Sequence, residues 1–359
     1  MSAASDGLEG IVAAETVLSH VDGEQGRLIL RGHALEALAG RVGQEELAAL
    51  LWDGFVDDAG AAARSLGAAR AAAFALAAPL VPLARGLTPV EGLRLLLAAL
   101  PDASEIHPAV LATAAVPVFV AALARDGQGL APTKPDPSLS QAADFLSMLR
   151  GMPAPAEHVA ALDTYLVTVA DHGLNASTFT ARVVASTAAG LFSAVVAALC
   201  ALKGPLHGGA PGPVLDMLDA IGSEDRIVPW LEQAIGRGDR LMGFGHRVYR
   251  VRDPRADVLK PVAAGLRGGA NRIRFAEAVE AAALQVLARL KPGRRLDTNV
   301  EFYTALVLEA LDLPRDLFTP VFAMGRVVGW CAHVLEQAQG GRIIRPASVY
   351  VGPMPKVAA

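Results

Sequence analysis

The feature that most constrains the fold of this chain is a long run without any charged residue, Val183–Leu202. Such a run can cross a bilayer, or it can form a helix that is buried on every side inside a large protein. The run includes Ser186, Gly190 and Ser193 and is rich in alanine, so its apolarity per residue is low for a helix in lipid. We therefore predict a buried core helix over Val183–Leu202.

Composition points to helices in the rest of the chain as well. Alanine and leucine dominate, whereas runs of β-branched and aromatic residues are scarce, which favours helix over sheet. Apolar residues recur at helical spacing in several segments. We predict an all-α fold with helices over Gln44–Trp52, Ser140–Leu149, Ala156–Val169 and Arg274–Leu290. Short strands are predicted at Arg27–Arg31 and Arg342–Val351, and a surface loop at Gly127–Pro137.

Charge and cysteine content narrow the class of protein. With 359 residues, of which 53% are hydrophobic, the chain can bury a large core in one or two domains. The net charge of −4 carries no long basic run, which argues against a nucleic-acid partner. Two cysteines make no disulfide framework, and the first ten residues do not resemble a signal peptide. We expect a cytoplasmic protein that does not bind membranes.

Three segments combine glycine with histidine, and a fourth carries charge within an apolar region. These segments are Ala170–Ser177, Lys203–Ala210, Met242–Arg255 and Leu296–Thr304. Glycine lets a ligand approach the backbone closely, and histidine can hold or move a proton near neutral pH. A single histidine is nevertheless more often a hydrogen-bonded structural residue. The sequence shows no His/Cys spacing typical of zinc, no glycine-rich phosphate loop and no GxSxG elbow.

Three arginines stand among apolar or glycine-rich neighbours: Arg255, Arg326 and Arg345. Arginine in such places often binds a carboxylate in a bidentate fork, although a structural ion pair is an equal alternative. From the residues alone, the chain has the parts of an acid–base site with histidine, a carboxylate and several arginines.

The motifs that contain these residues resemble those of the citrate synthase family over nearly the whole chain. They stand in the family's order: GLEGIVAAETVLSHVDGEQGRLILRG (7–32), ADHGLNASTFTARVVAST (170–187), GPLHGGAPGPVLDML (204–218), MGFGHRVYRVRDPRADVLK (242–260), NVEFYTALVLEAL (299–311), FAMGRVVGWCAHVLEQ (322–337) and RIIRPASVYVGP (342–353). Several long motifs in one order are a specific signal.

The resemblance implies an all-α homodimer with shared active sites. It implies a discontinuous large domain, residues 1–207 and 307–359, and a small domain, residues 208–306, with the active-site cleft between them. The implied reaction, a step of the tricarboxylic acid cycle, is the condensation of an acyl-CoA, acetyl-CoA first of all, with oxaloacetate. Hydrolysis of the thioester to citrate and CoA follows. No permanently bound cofactor and no metal are implied, since acyl-CoA is a co-substrate.

The resemblance also implies a role for each motif residue. His207 would hydrogen-bond the thioester carbonyl, and His246 would polarise the ketone of the 2-oxo acid. Glu301 stands at the position of the catalytic base. The residues implied in holding the 2-oxo acid are His172, Asn175, Arg255, Arg326 and Arg345, with Arg345 reaching in from the partner subunit. Ser177 would help to orient the site, and Arg247 and Arg250 would meet the CoA phosphates.

The sequence departs from the family's pattern at the base. The family's motif reads NVDFY, whereas this chain reads NVEFY, so that a glutamate replaces the aspartate. The carboxylate is kept because the two residues have similar reference pKa values. The side chain is one methylene longer, and a displacement of about 1 Å can cost on the order of a hundredfold in rate.

Two alternatives to a citrate synthase stay open. One is a 2-methylcitrate synthase or a related condensing enzyme that uses another acyl-CoA or 2-oxo acid, with Glu301 in a reshaped pocket. The other is a catalytically weak paralogue that binds CoA or a dicarboxylate. Retention of three histidines and three arginines argues against the second alternative. Acetyl and propionyl groups differ by one methylene, which a pocket discriminates by only about 1–3 kcal/mol.

Overall fold

The computed structural model describes residues 6–8, 10–208, 211–246, 248–249, 251–266 and 270–355, and the predicted all-α fold is confirmed. Within this part of the chain, the α-helices are α1 (Leu35–Leu38), α2 (Gln44–Trp52), α3 (Ala59–Arg64), α4 (Leu66–Ala77), α5 (Pro89–Ala98), α6 (Pro108–Gly127), α7 (Gln141–Arg150), α8 (Ala156–Val169), α9 (Ala176–Ala185), α10 (Leu191–Leu202), α11 (Pro211–Ile221), α12 (Ile227–Gly236), α13 (Pro254–Gly265), α14 (Ala270–Leu290), α15 (Val300–Ala310) and α16 (Phe318–Gly340).

The four helices predicted from apolar spacing are all present. They are α2, α7, α8 and α14, and their ends agree with the prediction to within a few residues. At α7, the hydroxyl of Ser140 accepts a hydrogen bond from the backbone N–H of Ala143 at 3.3 Å, so Ser140 caps the helix rather than belonging to it. The loop predicted at Gly127–Pro137 follows the end of α6 as expected.

One predicted strand is confirmed and the other is wrong. Arg27–Leu30 forms the middle strand, β2, of a small antiparallel sheet with β1 (Ser19–Asp22) and β3 (His33–Ala34), neither of which we predicted. The segment Arg342–Val351 has no regular secondary structure and pairs with no strand among the described residues. Most of its apolar side chains, such as Ile343 and Val351, are exposed rather than packed in a sheet.

The prediction of one buried helix over Val183–Leu202 is also wrong. Helix α9 ends at Ala185, where the hydroxyls of Ser186 and Thr187 bond back to the carbonyls of Val183 and Val184. The chain then turns through Gly190, whose φ of +86° suits glycine, and α10 begins at Leu191. Only part of the surface of α10 is buried. The absence of charged residues from Val183–Leu202 therefore indicates neither one continuous helix nor a helix buried on every side.

The core instead depends on α6 and α16. By length and composition both helices, α16 together with the short turn before it, could cross a membrane, but their most apolar windows are 83% and 94% buried against the rest of the chain. Helices that are apolar on all sides and enclosed by other helices are typical of the centre of a large globular domain.

Helix α16 approaches α8 very closely through two glycines one turn apart. A Cβ atom added at Gly325 would lie 2.5 Å from Cγ2 of Val169, and one added at Gly329 would lie 2.3 Å from the carbonyl oxygen of Ala170. Both distances are shorter than van der Waals contact. The two glycines therefore bring Arg326, which lies between them in the sequence, against the end of α8.

This contact predicts that Gly329→Ala destabilises the protein. The added methyl group would collide with backbone, which cannot rotate away, so the helices must separate. Overpacking of this kind costs about 1–3 kcal/mol of unfolding free energy. Gly340→Ala in the same helix is the matched control, because no atom lies within 4 Å of the Cβ position there. Urea denaturation of both variants tests the contact; equal stability of the two would contradict it.

Candidate active site

Several of the predicted site residues lie where α8 ends, where α9, α13 and α15 begin, and at the middle of α16. Three of these helix starts are capped by side chains that accept backbone N–H groups: Asn175 for α9, Asp253 for α13 and Asn299 for α15. The capping residues hold the neighbouring functional side chains in a defined place, because a capped helix start cannot fray.

Arg326 lies at the centre of this region and is completely buried. None of its three guanidinium nitrogens has a hydrogen-bond partner among the described residues, and its charge lies over the ring of Phe322 at 4.9 Å. Burial and the nearby Arg255 lower the pKa of Arg326 to about 9, while Asp171 and Tyr165 oppose that change. The group therefore stays charged at neutral pH, and a buried charge without a partner calls for an anion.

Arg255 is a second buried guanidinium, and it is firmly oriented. Its Nε and Nη2 donate to the two carboxylate oxygens of Asp253 at 3.0 and 2.8 Å. Asp253 also accepts the backbone N–H of Val300 at 3.0 Å, which ties the start of α13 to the start of α15. Burial favours a neutral carboxyl, but Arg255 outweighs it and holds the pKa of Asp253 below its usual range.

His246 is held as a neutral ring with a defined tautomer. Its Nδ1 accepts the backbone N–H groups of Val248 and Tyr249, each at 3.0 Å, so the proton resides on Nε2. Burial and the nearby Arg255 lower the pKa of His246 to about 4. The Nε2–H group, 3.3 Å from Nη2 of Arg255, is thus a neutral donor beside a cation.

His207 is oriented by a chain of hydrogen bonds from α9 and α16. Its Nε2 accepts the backbone N–H of Ser177 at 3.3 Å and lies 2.9 Å from the Ser177 hydroxyl. That hydroxyl in turn accepts from the indole of Trp330 at 3.2 Å. With Nε2 as acceptor, Nδ1 carries the proton. Burial, helped by Arg326, lowers the pKa of His207 to about 4.

His172 lies among the other cations of the site. Burial lowers its pKa well below the usual value, and Arg326, Arg255, His246 and His207 add to that effect. Each of these four side chains is close enough to influence the ring. The structure therefore brings all three predicted histidines and two of the three predicted arginines into one cluster.

Glu301 supplies the carboxylate of the cluster. Its backbone N–H donates to the capping Oδ1 of Asn299 at 3.0 Å, which places it in the first turn of α15, and its carboxylate makes no hydrogen bond with the described residues. Burial raises the pKa of Glu301 to about 7, although Arg255 and Arg240 oppose the rise. A carboxylate poised near neutrality is suited to take up and release a proton.

Comparison with known proteins identifies the family. The family model described as "Citrate synthase, C-terminal domain" matches residues 7–347. This chain belongs to the citrate synthase family.

Named relatives and solved structures agree with that assignment. The chain is 40% identical to "Putative citrate synthase 2" of Mycobacterium tuberculosis over 98% of this chain and 93% of that protein. It is 38% identical to "Citrate synthase" of Haloferax volcanii over 96% and 95%. The crystal structure of citrate synthase from Thermotoga maritima, 35% identical, superposes with a TM-score of 0.85 over 98% and 97% of the two chains.

The structure of Thermoplasma acidophilum citrate synthase, 28% identical, matches with a TM-score of 0.88 over 100% of this chain and 99% of that one. That structure is a ternary complex with carboxymethyl coenzyme A and oxaloacetate. The relatives place this chain among condensing enzymes.

One predicted residue of the citrate synthase site, Arg345, is not in the cluster. It is exposed on the irregular segment after α16 and has no ion pair with the described residues. Arg247 and Arg250 lie outside the described residues, so their predicted contacts with CoA phosphates stay predictions. Asn175 is near the cluster, but its amide is used locally, with Oδ1 accepting from Ser177 and Nδ2 donating to Gly173 and Thr178.

The sequence reasoning missed a buried polar chain behind the site. Asp171 Oδ1 lies 3.1 Å from Nε2 of His333, and Nδ1 of His333 lies 3.0 Å from a guanidinium nitrogen of Arg182. Arg182 continues to Glu336 and Gln337 at the end of α16. The signal available was the position of His333, a lone histidine in the apolar segment VVGWCAHVL.

A groove with a mainly basic lining includes His246 in its wall. It encloses about 460 Å³, and its charged lining is Arg240, Lys291 and Arg294 with one carboxylate, Asp239, beside apolar residues such as Phe244 and Leu296. A groove of this size and composition can hold an elongated anionic ligand with an apolar portion.

The raised pKa of Glu301 predicts a pH-dependent effect of Glu301→Gln on stability. The pKa rises from 4.5 to about 7 on folding, so ionised Glu301 disfavours the folded state fully above pH 7 and very little below pH 4.5. The glutamine variant should therefore gain more in Tm over the native protein at pH 8.5 than at pH 5. Glu157→Gln, at an exposed position in α8, is the control for the exchange of a carboxylate for an amide.

Proposed function

We propose that this protein is a citrate synthase, which condenses acetyl-CoA with oxaloacetate and then hydrolyses the citryl-CoA thioester to citrate and CoA. The observation that carries the proposal is the fully buried guanidinium of Arg326, which has no hydrogen-bond partner among the described residues and lies near Arg255 and the three histidines. Arg326 has no anionic hydrogen-bond partner among the described residues, and oxaloacetate is a dianion. Family membership supports the same reaction.

Glu301 is the proposed general base. The α-proton of a thioester is weakly acidic, so a base must act while the charge on the carbonyl oxygen is stabilised. The Glu301 carboxylate takes that proton, and the Nδ1–H of His207 donates to the oxygen that becomes an enolate. Both groups are available without rearrangement of their own hydrogen bonds, since Nε2 of His207 is already occupied by Ser177.

His246 is the proposed donor to the ketone of oxaloacetate. The enolate carbon attacks the ketone carbon, a carbon–carbon bond forms, and the ketone oxygen becomes an alkoxide. The Nε2–H of His246 points away from its two backbone partners and is free to stabilise that oxygen. Water then attacks the thioester carbonyl, which releases CoA as the thiol and citrate as the acid.

Arg326 and Arg255 are proposed to bind the substrate carboxylates, with His172 between them. Arg255 keeps its orientation through Asp253 and makes no hydrogen bond through Nη1 to any described residue. Its remaining N–H groups can therefore reach a ligand. The partner's Arg345 is proposed to complete the clamp.

The homodimer and the domain division belong to this proposal. Arg345 lies on a segment whose apolar residues Ile343, Tyr350 and Val351 are exposed in the single chain, which supports a role at a subunit interface. We place the large domain at residues 1–207 and 307–359 and the small domain at 208–306. Arg326, His172 and His207 then stand on one side of the cleft, and His246, Arg255 and Glu301 on the other.

The basic groove beside His246 is the proposed site for the CoA phosphates. Arg240, Lys291 and Arg294 line it, and it leads to the ring that is proposed to meet the ketone. Arg247 and Arg250 precede and follow Tyr249 in the same segment and stay additional candidates. Phosphates need several cations because each carries up to two charges.

The longer side chain of Glu301 favours a second candidate function. A pocket reshaped around glutamate suits a condensing enzyme for another acyl-CoA, such as propionyl-CoA in 2-methylcitrate synthesis, or for another 2-oxo acid. The third candidate, a weak paralogue that only binds its ligands, predicts no condensation at all. A thiol-release assay with a panel of acyl-CoAs and 2-oxo acids separates the three.

We predict that Glu301→Gln lowers condensation by at least about a hundredfold, because the amide keeps the shape but cannot accept the proton. Binding of oxaloacetate should survive, since the arginines remain. In the native enzyme, kcat/KM should rise with pH through about 7, because the base must be ionised. Condensation at the native rate by the glutamine variant would remove Glu301 from the mechanism.

Glu301→Asp is the matched geometric variant. If the pocket has adapted to glutamate, shortening the side chain should lower turnover by a comparable factor, since a misplacement of about 1 Å can cost on the order of a hundredfold. A faster aspartate variant would show an unadapted citrate synthase pocket instead.

The shared site predicts complementation between two inactive variants. Arg345→Ala and His207→Ala homodimers should each be impaired. A heterodimer of the two contains one site with native Arg345 and native His207, so mixing after reversible dissociation should restore part of the activity. Mass spectrometry that shows heterodimers without recovered thiol release would contradict a shared site.

A further inference from the structure

The hydroxyl of Tyr165 is buried at a place where the fold gives it no evident structural role. Tyr165 lies on α8, seven residues before His172, and is completely buried. Its hydroxyl has no hydrogen-bond partner among the described residues. A buried hydroxyl without a partner costs about 1–3 kcal/mol, so it is expected to have one when the protein works.

The surroundings of Tyr165 are those of the proposed active site. Helix α8 packs on α16, which carries Arg326, and on α15, which carries Glu301. Both charged side chains are close enough to affect the phenol: Arg326 lowers its pKa and Glu301 raises it, while burial raises it further. Tyr165 therefore keeps its proton at any physiological pH and is a donor.

Two buried groups without hydrogen-bond acceptors among the described residues thus lie near each other, one on α8 and one on α16. One is the hydroxyl of Tyr165 and the other is the whole guanidinium of Arg326, and no hydrogen bond joins them. Both sets need an acceptor. A carboxylate offers two oxygens with about four lone-pair sites, enough for a guanidinium fork and one further donor.

We propose that Tyr165 is a further substrate-binding residue, which donates a hydrogen bond to the carboxylate that Arg326 holds. The inference rests on the proposed function, because it assumes a 2-oxo dicarboxylate at Arg326. The ligand satisfies Tyr165 and Arg326 together, and the uncomplexed protein leaves both unpaired. Tyr165 lies on the same side of the proposed cleft as Arg326, so opening of the cleft leaves the pair intact.

Tyr165→Phe tests this role through the affinity for oxaloacetate, measured by calorimetry without any acyl-CoA. A hydrogen bond to a charged group contributes about 1.5–3 kcal/mol, so the Kd should rise by about 10- to 150-fold. The Tm of the unliganded protein should stay the same or rise, because an unpaired buried hydroxyl is removed. In the thiol-release assay, the KM for oxaloacetate should rise far more than kcat falls.

Tyr303→Phe is the matched control. Tyr303 is another buried tyrosine of this region, but its hydroxyl already donates to Glu280 at 2.6 Å. Removing that hydroxyl should lower the Tm of the unliganded protein and leave the Kd for oxaloacetate unchanged. The two variants thus predict opposite patterns of stability and affinity.

The outcomes separate this inference from the proposed function. If the native protein does not bind oxaloacetate, the proposed function fails and the inference falls with it. If the native protein binds oxaloacetate and Tyr165→Phe binds it equally well, the inference alone is overturned. It is also overturned if the variant keeps its affinity but shifts the pH profile of thiol release, because the phenol would then act on Glu301.

Discussion

A fully buried guanidinium, that of Arg326, without a hydrogen-bond partner among the described residues is the constraint on which the rest of this structure depends. Isolated charges in protein interiors are costly, and the cost appears here as a lowered pKa of Arg326. The charge persists because the surrounding helices hold it in place. Gly325 and Gly329 allow α16 to touch α8 at distances that no side chain would permit. The same close approach of the two helices buries the charge of Arg326 and brings it near the histidines.

Electrostatics then determines the state of every other group in the cluster. Burial lowers the pKa values of the three histidines, and the two buried arginines add to that effect, so the rings are neutral donors. Burial has the opposite consequence for Glu301, whose pKa rises towards neutrality. Asp253 is the exception, since its bidentate contact with Arg255 keeps it ionised. The site thus contains one carboxylate that stays ionised, Asp253, and one that can exchange a proton, Glu301.

Much of this could be predicted from the sequence. Alanine and leucine content determined the all-α class, since helix propensity is a local property that accumulates over long segments. Helices with clear apolar periodicity, such as α8 and α14, were found close to their true ends. The motifs around His172, His207, His246 and Glu301 were sufficient to identify the family, because residue identity and order survive without knowledge of the fold.

Only the tertiary structure decided how these residues meet. Composition could not show that Val183–Leu202 is interrupted, because the hydrogen bonds of Ser186 and Thr187 compete with the helix on equal terms. It could not show that Arg342–Val351 pairs with no strand in the part of the chain that the structure describes, since pairing is a long-range property. Nor could it show the unpaired state of Arg326 and Tyr165 or the chain from Asp171 to Arg182. These depend on contacts between helices far apart in sequence, and burial and hydrogen-bond pairing exist only once such helices have packed.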